Sequence, residues 1–476
     1  MEYGFLTIIP PILAMVLAIV YRKVALALLI GAFSGQLILS AWNPLTAINE
    51  TLNTILSVCG DSDNLKIFIF TALMGAFVLL VKVSGGVAGF VHYLTEQNKK
   101  IKSKTGAMMI AYMIGVIVFI DGLLSIMFTG VVARPITDKF KVSREKLAFI
   151  CDSTSAPINA LIPLNSWGAM LMGLIGAEIT AGVITGDPMN LLISSLPFQF
   201  YSIVSLLAVL FYIYTGKDWG PMKKAELRVQ TTGKLYDDGV TPLLDDGEDD
   251  EVLVAVGTEN KWNMMLPLMT LIGGTFIGLL YTGSGNISKG DGTISILYSI
   301  IVTLLIMCFY YTRQKIMTGE TYSRYVLKGV GSMISLVLLL VLAFTIGRII
   351  KELGTGVYLA SLVSGKISGA FGPAIIFVLG AFMAFSTGTS WGTFSIMMPI
   401  AIPMAAAMES NIVLAIGAVV SAGLFGDHCS PMSDTTILSS MSAGTDIYSH
   451  VKTQLPYALV SAFIATVLFI IFGFTL

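Results

Sequence analysis

Between Gly426 and Thr436 the chain reads Gly-Asp-His-Cys-Ser-Pro-Met-Ser-Asp-Thr-Thr, and strongly apolar runs flank it on both sides. Two carboxylates, an imidazole, a proline and several hydroxyls in eleven residues can do ion chemistry. They cannot sit on a lipid-facing surface, where each uncompensated polar group costs several kcal/mol. Ionisable residues inside a membrane span therefore mark a functional site. Asp427, Ser430, Asp434 and Thr435 offer oxygen ligands for a hard cation such as Na⁺, as do Asp152, Ser153, Thr154 and Ser155 in the first half. Asp121, Thr387, Thr389 and Ser390 add polar groups in glycine-rich surroundings, as candidate contacts for a substrate or proton. Unpaired carbonyls at helix breaks would complete such a site, and Pro157 and Pro431 are the expected breaks. A carboxylate buried out of water takes a proton unless a cation compensates it. Proton and Na⁺ can thus compete for one group, and falling pH should weaken Na⁺ affinity. His428 titrates near neutrality when unperturbed, and is a candidate proton carrier.

These residues need a membrane scaffold. The 476 residues are 55% hydrophobic and 12% charged, against about 25% charged in soluble domains. Eight runs approach spanning length: Leu6–Tyr21, Val24–Ala41, Ile67–Val83, Phe200–Tyr214, Met264–Tyr281, Ile294–Tyr311, Ser332–Ile346 and Tyr457–Phe474. The start of the chain lacks a basic segment, so no cleaved signal peptide is expected. A net charge of -1 argues against a nucleic-acid partner. Four scattered cysteines suggest neither disulfides nor a zinc site. No nucleotide-binding loop or hydrolase triad appears, so neither an enzyme nor a cofactor is expected.

The polar stretch 217–261, basic and then acidic, reads as a solvated linker between a first repeat (1–216) and a second (262–476). Matches in the same order support duplication. Phe119-Ile120-Asp121-Gly122 answers Phe385-Ser386-Thr387-Gly388, and Cys151–Pro157 answers Asp427–Pro431. A competing alignment, Asn165-Ser166-Trp167-Gly168 with Thr389-Ser390-Trp391-Gly392, breaks that order. Basic clusters at Lys99–Lys104 and Arg134–Lys146 both fall inside by charge bias. The stretch between them is too short for two full spans, so it reads as a re-entrant hairpin with its tip near Asp121. The next span should break at Asp152–Pro157. Arg144 or Lys146 could pair with Asp152, while Glu178 and Asp187 read as solvated near the outer loop. Arg348, Lys351 and Lys366 would lie outside, with Ile349–Lys366 as an interfacial amphipathic segment. The expected fold is an all-α polytopic membrane protein. Its two inverted-topology repeats each have about five transmembrane helices plus a re-entrant hairpin, with broken helices at the midplane and both termini outside.

The segment Gly426–Thr436, together with Thr387-Gly388-Thr389-Ser390-Trp391-Gly392, resembles the signature of the NhaC-type Na⁺/H⁺ antiporter family. The resemblance implies a bacterial inner-membrane secondary transporter of the ion-transporter superfamily, usually a homodimer. Its relatives exchange Na⁺ for H⁺ or carry small organic solutes such as malate, lactate or amino acids, so an Na⁺-coupled solute carrier is the alternative.

Single cysteines placed in Phe140–Ser143 and in the acidic linker should react with impermeant reagents from the cytoplasmic side, and those near Asp61 and Asn286 from outside. Opposite faces for Asn98–Ser103 and Phe140–Ser143 would remove the hairpin.

Overall fold

The computed structural model describes residues 3–21, 23–97, 103–119, 122–237, 260–286, 290–355, 358, 368–431 and 433–476. Asp121, at the expected hairpin tip, lies outside them, as does most of 353–367 beyond Thr355. The described residues are helical throughout, without a strand. The first half holds α1 (Ile9–Tyr21), α2 (Val24–Leu39), α3 (Pro44–Gly60), α4 (Ser62–Val83), α5 (Gly86–Gln97), α6 (Lys104–Ile117), α7 (Gly122–Lys139), α8 (Arg144–Leu161), α9 (Ser166–Thr180), α10 (Pro188–Ser195) and α11 (Phe200–Thr215). The connecting α12 (Gly220–Thr232) follows. The second half holds α13 (Trp262–Thr282), α14 (Gly292–Arg313), α15 (Gly319–Ser332), α16 (Ile334–Glu352), α17 (Gly372–Thr387), α18 (Ser390–Ala407), α19 (Ile412–Cys429), α20 (Asp434–Ala443) and α21 (Ile447–Thr475). Among the described residues nine helices are long and apolar enough to cross a membrane, and the α8–α9 pair, bent by 48°, makes a tenth span.

The hairpins and their inversion follow from side-chain bonds at their open ends. Lys104 opens α6 and Ser143 follows α7, and both bind the Glu226 carboxylate of α12. The α6–α7 hairpin therefore enters and leaves on one face. In the second half Ser410, after α18, bonds the Gly369 carbonyl before α17. That end lies on the opposite face. α21 passes Asp218 and Trp219 at Tyr457 near its start, yet packs Phe474 on Phe371 at its end. The broken helices invert too. α8 starts on the α12 face, whereas α20 finishes there, with the Gly444 carbonyl accepting from Arg144. The repeats share a spacing as well. Gly122, Arg144 and Ser166 open α7, α8 and α9, and Ser390, Ile412 and Asp434 open α18, α19 and α20, each 268 positions on (390 less 122).

That spacing corrects two sequence expectations. Helix α8 runs unbroken through Asp152–Pro157, and the break falls at Ile162–Asn165. Ile162 precedes Pro163 and takes the extended φ −112°, ψ 112° that a following proline favours. Asn165 then caps α9 through Gly168 N–H at 3.0 Å. Ser430 before Pro431 is likewise extended, and Ser433 caps α20. Pro431 is thus the counterpart of Pro163, and Asp427 that of Asn159, not Asp152.

Two further expectations change. The segment 217–261 carries α12, with Met222 and Val229 fully buried against the core. Its Glu226 and Arg228 tie down the start of α8, Arg228 bonding Glu145 at 2.9 Å. Ile349–Glu352 forms the end of α16 rather than an interfacial segment.

Helices α4 and α15 pack backbone to backbone at Gly75 and Gly329. A methyl on Gly329 would fall 2.5 Å from Ala76 Cα, where only backbone could yield. Gly329→Ala should cost about 1–3 kcal/mol and lower the melting midpoint in detergent. An unchanged midpoint would show that the two helices can separate freely.

Candidate functional site

Asp427 sits two residues before the end of α19 and is 1% exposed. Ser433, the cap of α20, donates its hydroxyl to Asp427 Oδ1. Ser433 is also within 2.9 Å of Thr435 Oγ1, and Thr436 Oγ1 donates to the Asp427 carbonyl at 3.2 Å. Beyond the contact between the Asp427 carboxylate and the Ser390 hydroxyl, Asp427 Oδ2 and Ser390 Oγ have no hydrogen-bond partner. Ser390 opens α18 at the second hairpin's break and is turned towards the Asp427 carboxylate. The breaks of the hairpin and of the broken helix therefore meet at two buried oxygens with unused lone pairs. Asp434 is exposed at the head of α20, where its Oδ1 accepts Thr435 N–H at 2.9 Å.

His428 follows Asp427 and projects about 100° further round the helix. Its Nε2 lies 2.7 Å from Ser153 Oγ and its Nδ1 2.8 Å from Tyr201 OH. Asp152 is next to that serine. Its Oδ2 accepts from Gln454 Nε2 at 2.8 Å and meets His450 Nε2 at 3.2 Å, while Oδ1 is unpartnered. Gln454 also donates to the His428 carbonyl. Asp152 and Ser153 on α8, Tyr201 on α11, His428 on α19 and His450 and Gln454 on α21 thus form one buried network across both repeats. His450, Gln454 and Tyr201 carry no local sequence signal. They lie in the first turns of two largely apolar helices, and only their meeting with Asp152 and His428 marks them.

The basic groups expected near Asp152 go elsewhere. Lys146 pairs with Asp218, and Arg144 with Asp138 at 3.3 Å. Other hydroxyls serve the helices. Thr154 and Thr387 donate to carbonyls four residues back at 2.7 and 2.9 Å, and Thr389 caps Gly392. Ser155 bonds Ser125 at 2.9 Å, inside the first hairpin. In that repeat Asn159 takes the place of Asp427. Its Oδ1 accepts from the capping Asn165 at 3.2 Å, as Asp427 accepts from the capping Ser433. The carboxylate at this pseudo-symmetric position exists in one repeat only.

Two outer acids differ from expectation. Asp187 is half-buried, and caps α10 at Asn190 while accepting Gly292 N–H at 3.2 Å. Burial pushes its carboxyl above the usual range, opposed by those N–H donors. Glu178 is fully buried, with neither oxygen hydrogen-bonded.

A family model described as the Na⁺/H⁺ antiporter family matches residues 164–474. A Haemophilus influenzae protein of uncharacterised function is 36% identical across 98% of this chain and 91% of its own. The chain belongs to the Na⁺/H⁺ antiporter family. Within that family it is 33% identical over 108 residues to an uncharacterised Na⁺/H⁺ antiporter of H. influenzae, 22% of this chain and 23% of that one. Over 97 residues it is 33% identical to the malate-2H⁺/Na⁺-lactate antiporter of Bacillus subtilis, 20% of this chain and 21% of that one. The fold is similar to that of MtrF of Neisseria gonorrhoeae, at TM-score 0.58 and 14% identity, covering 91% of this chain and 85% of that one. It is equally similar to the YdaH transporter of Alcanivorax borkumensis, covering 91% and 89%. This family member is therefore a multi-pass membrane transporter with inverted repeats and broken helices.

The buried network makes a stability prediction. His450→Leu removes a donor to a buried carboxylate and should cost about 1–3 kcal/mol, whereas His450→Gln, which keeps an N–H donor, should cost less. Equal melting midpoints for the two variants in detergent would show that His450 does not support Asp152.

Proposed function

We propose that this transporter exchanges Na⁺ for H⁺ across a bacterial cytoplasmic membrane by alternating access, with both termini outside and two copies forming a dimer. The observation that carries this reading is the pair of buried oxygens, Asp427 Oδ2 and Ser390 Oγ, that face each other with no further partner at the joined breaks of α17–α18 and α19–α20. Carboxylate, hydroxyl and the carbonyls freed at helix ends suit a hard monovalent cation. Ser433, with Thr435 Oγ1 beside its hydroxyl, holds the carboxylate from the far side, and Ser430 lies at the break itself. Na⁺ or a proton on Asp427 relieves the same buried negative charge, so each displaces the other. The Asp152–His450–Gln454–His428 network then reports the state of the adjacent Asp427 to the α12 face.

An organic solute is the second reading. Asn165-Ser166-Trp167-Gly168 and Thr389-Ser390-Trp391-Gly392 each open a helix in mid-body, and their tryptophans meet at 5.9 Å. Helix N-termini favour a carboxylate, and the local match to the malate/lactate antiporter fits a small acid.

In proteoliposomes with an imposed Na⁺ gradient, proton counterflow without added solute supports exchange, and accumulation of labelled malate or lactate supports the second reading. Asp427→Asn should reduce Na⁺-dependent transport by at least about a hundredfold while leaving expression intact. Wild-type rates in that variant would take Asp427 out of the site.

A further inference from the structure

Glu178 lies far from Asp427 along the fold, at the outer end of α9, and the exchange reading does not use it. The sequence suggests a solvated residue, yet its side chain is fully buried and both carboxyl oxygens lack a hydrogen-bond donor. It sits where the two repeats touch. Gly347 on α16 leaves room for it, since a methyl there would come within 3.0 Å of Glu178 Oε1, with Pro399 of α18 close behind. Lys351, one turn further along α16, is the charged group acting on it. Beyond lies a vestibule of about 390 Å³ lined by Ala177, Thr180, Arg348, Lys351, Glu352 and Asp61. Lys66 and Asp187 line the neighbouring cavity. Arg348, Lys351 and Glu352 are exposed there. Glu178 is thus within one helical turn of water on the face opposite α12, though sealed from it.

A dry carboxylate with no donor is costly as an anion. Among the described residues no group of three or more His, Cys, Asp or Glu side chains that could hold a metal ion includes it. A proton removes the cost of the charge. We propose that Glu178 is a proton-binding site separate from the Na⁺ site, loaded and emptied through the outer vestibule. This rests on the exchange reading above. In the sealed state the group is a neutral carboxylic acid. When α9 and α16 part, its O–H gives the proton to vestibule water, and the Lys351 ammonium steadies the carboxylate left behind. Reprotonation from the vestibule lets the repeats close again. Because α9 and α16 belong to different repeats, the charge on Glu178 decides whether they can pack, and outer pH thereby gates the movement of one repeat against the other; the proton leaves and returns on one face, so this site adds none to the exchange itself.

The test separates this pH gate from Na⁺ binding in proteoliposomes. Exchange of ²²Na⁺ for unlabelled Na⁺ at equal pH reads Na⁺ binding and repeat movement. Na⁺ uptake driven by a pH gradient reads coupling. Glu178→Gln should keep Na⁺/Na⁺ exchange within about twofold at mildly acidic outer pH, and should lose the change in exchange rate that the unaltered protein shows as outer pH rises at fixed inner pH. Glu178→Asp should retain part of it. An outer-pH profile in Glu178→Gln identical to that of the unaltered protein would overturn the proposal. So would loss of both activities in a variant that stays monodisperse with an unchanged melting midpoint, because Glu178 would then serve Na⁺ itself. If the unaltered protein shows no pH-driven Na⁺ movement, the exchange reading fails instead, before any variant is compared.

Discussion

A backbone N–H or C=O without a partner inside a membrane-spanning body costs several kcal/mol, and this chain interrupts four helices there. Among the described residues the flanking helices end and restart at Ile117 and Gly122, Leu161 and Ser166, Thr387 and Ser390, and Cys429 and Asp434. Each needs a local partner. Asn165 and Ser433 serve the two broken helices and Thr389 the second hairpin, each accepting a backbone N–H at the start of the next helix. Asn165 also donates to the Phe119 carbonyl at 3.2 Å, so the two breaks of the first repeat satisfy one another. Ser390 and Asp427 draw the breaks of the second repeat together in the same way. The polar centre follows from this requirement. Once the helices are broken, the capping side chains and freed carbonyls must gather, and a cation or proton can complete them.

The two repeats solve the same backbone problem with different chemistry. Asn165 holds the neutral Asn159, and Ser433 holds Asp427. A neutral amide fills its hydrogen bonds within the protein and locks its half. A carboxylate with one oxygen unpartnered leaves its half dependent on what it binds. The fold supplies symmetry, and one residue difference places a carboxylate at this position in the second repeat only. His428 is linked to Asp152 of the first repeat through Ser153 and Gln454.

Much of this was legible in the chain. The apolar runs, the basic clusters bracketing too short a stretch and the polar block at Gly426–Thr436 give spans, hairpin and inversion. The first break was not legible. Pro157-Ile158-Asn159 and Pro163-Leu164-Asn165 present the same proline-then-asparagine pattern six residues apart. Only packing decides between them. Asn159 bonds back to the Ser155 carbonyl at 2.7 Å and keeps its helix, while Asn165 caps a new one. Choosing the wrong proline also mispaired Asp152 with Asp427. Glu178 was misread because polar residues follow it, although helix phase turns it inward. His450 and Gln454 lie in a long apolar helix, and their partners are about 300 residues away in sequence.

The central claim is that Na⁺ and protons compete for buried carboxylates. Purified wild-type protein in weakly buffered detergent solution, followed with a pH indicator, tests this without transport. Adding NaCl should release protons in a saturable manner, and the same concentration of choline chloride should release none. Saturable Na⁺ binding with no proton release would contradict the account.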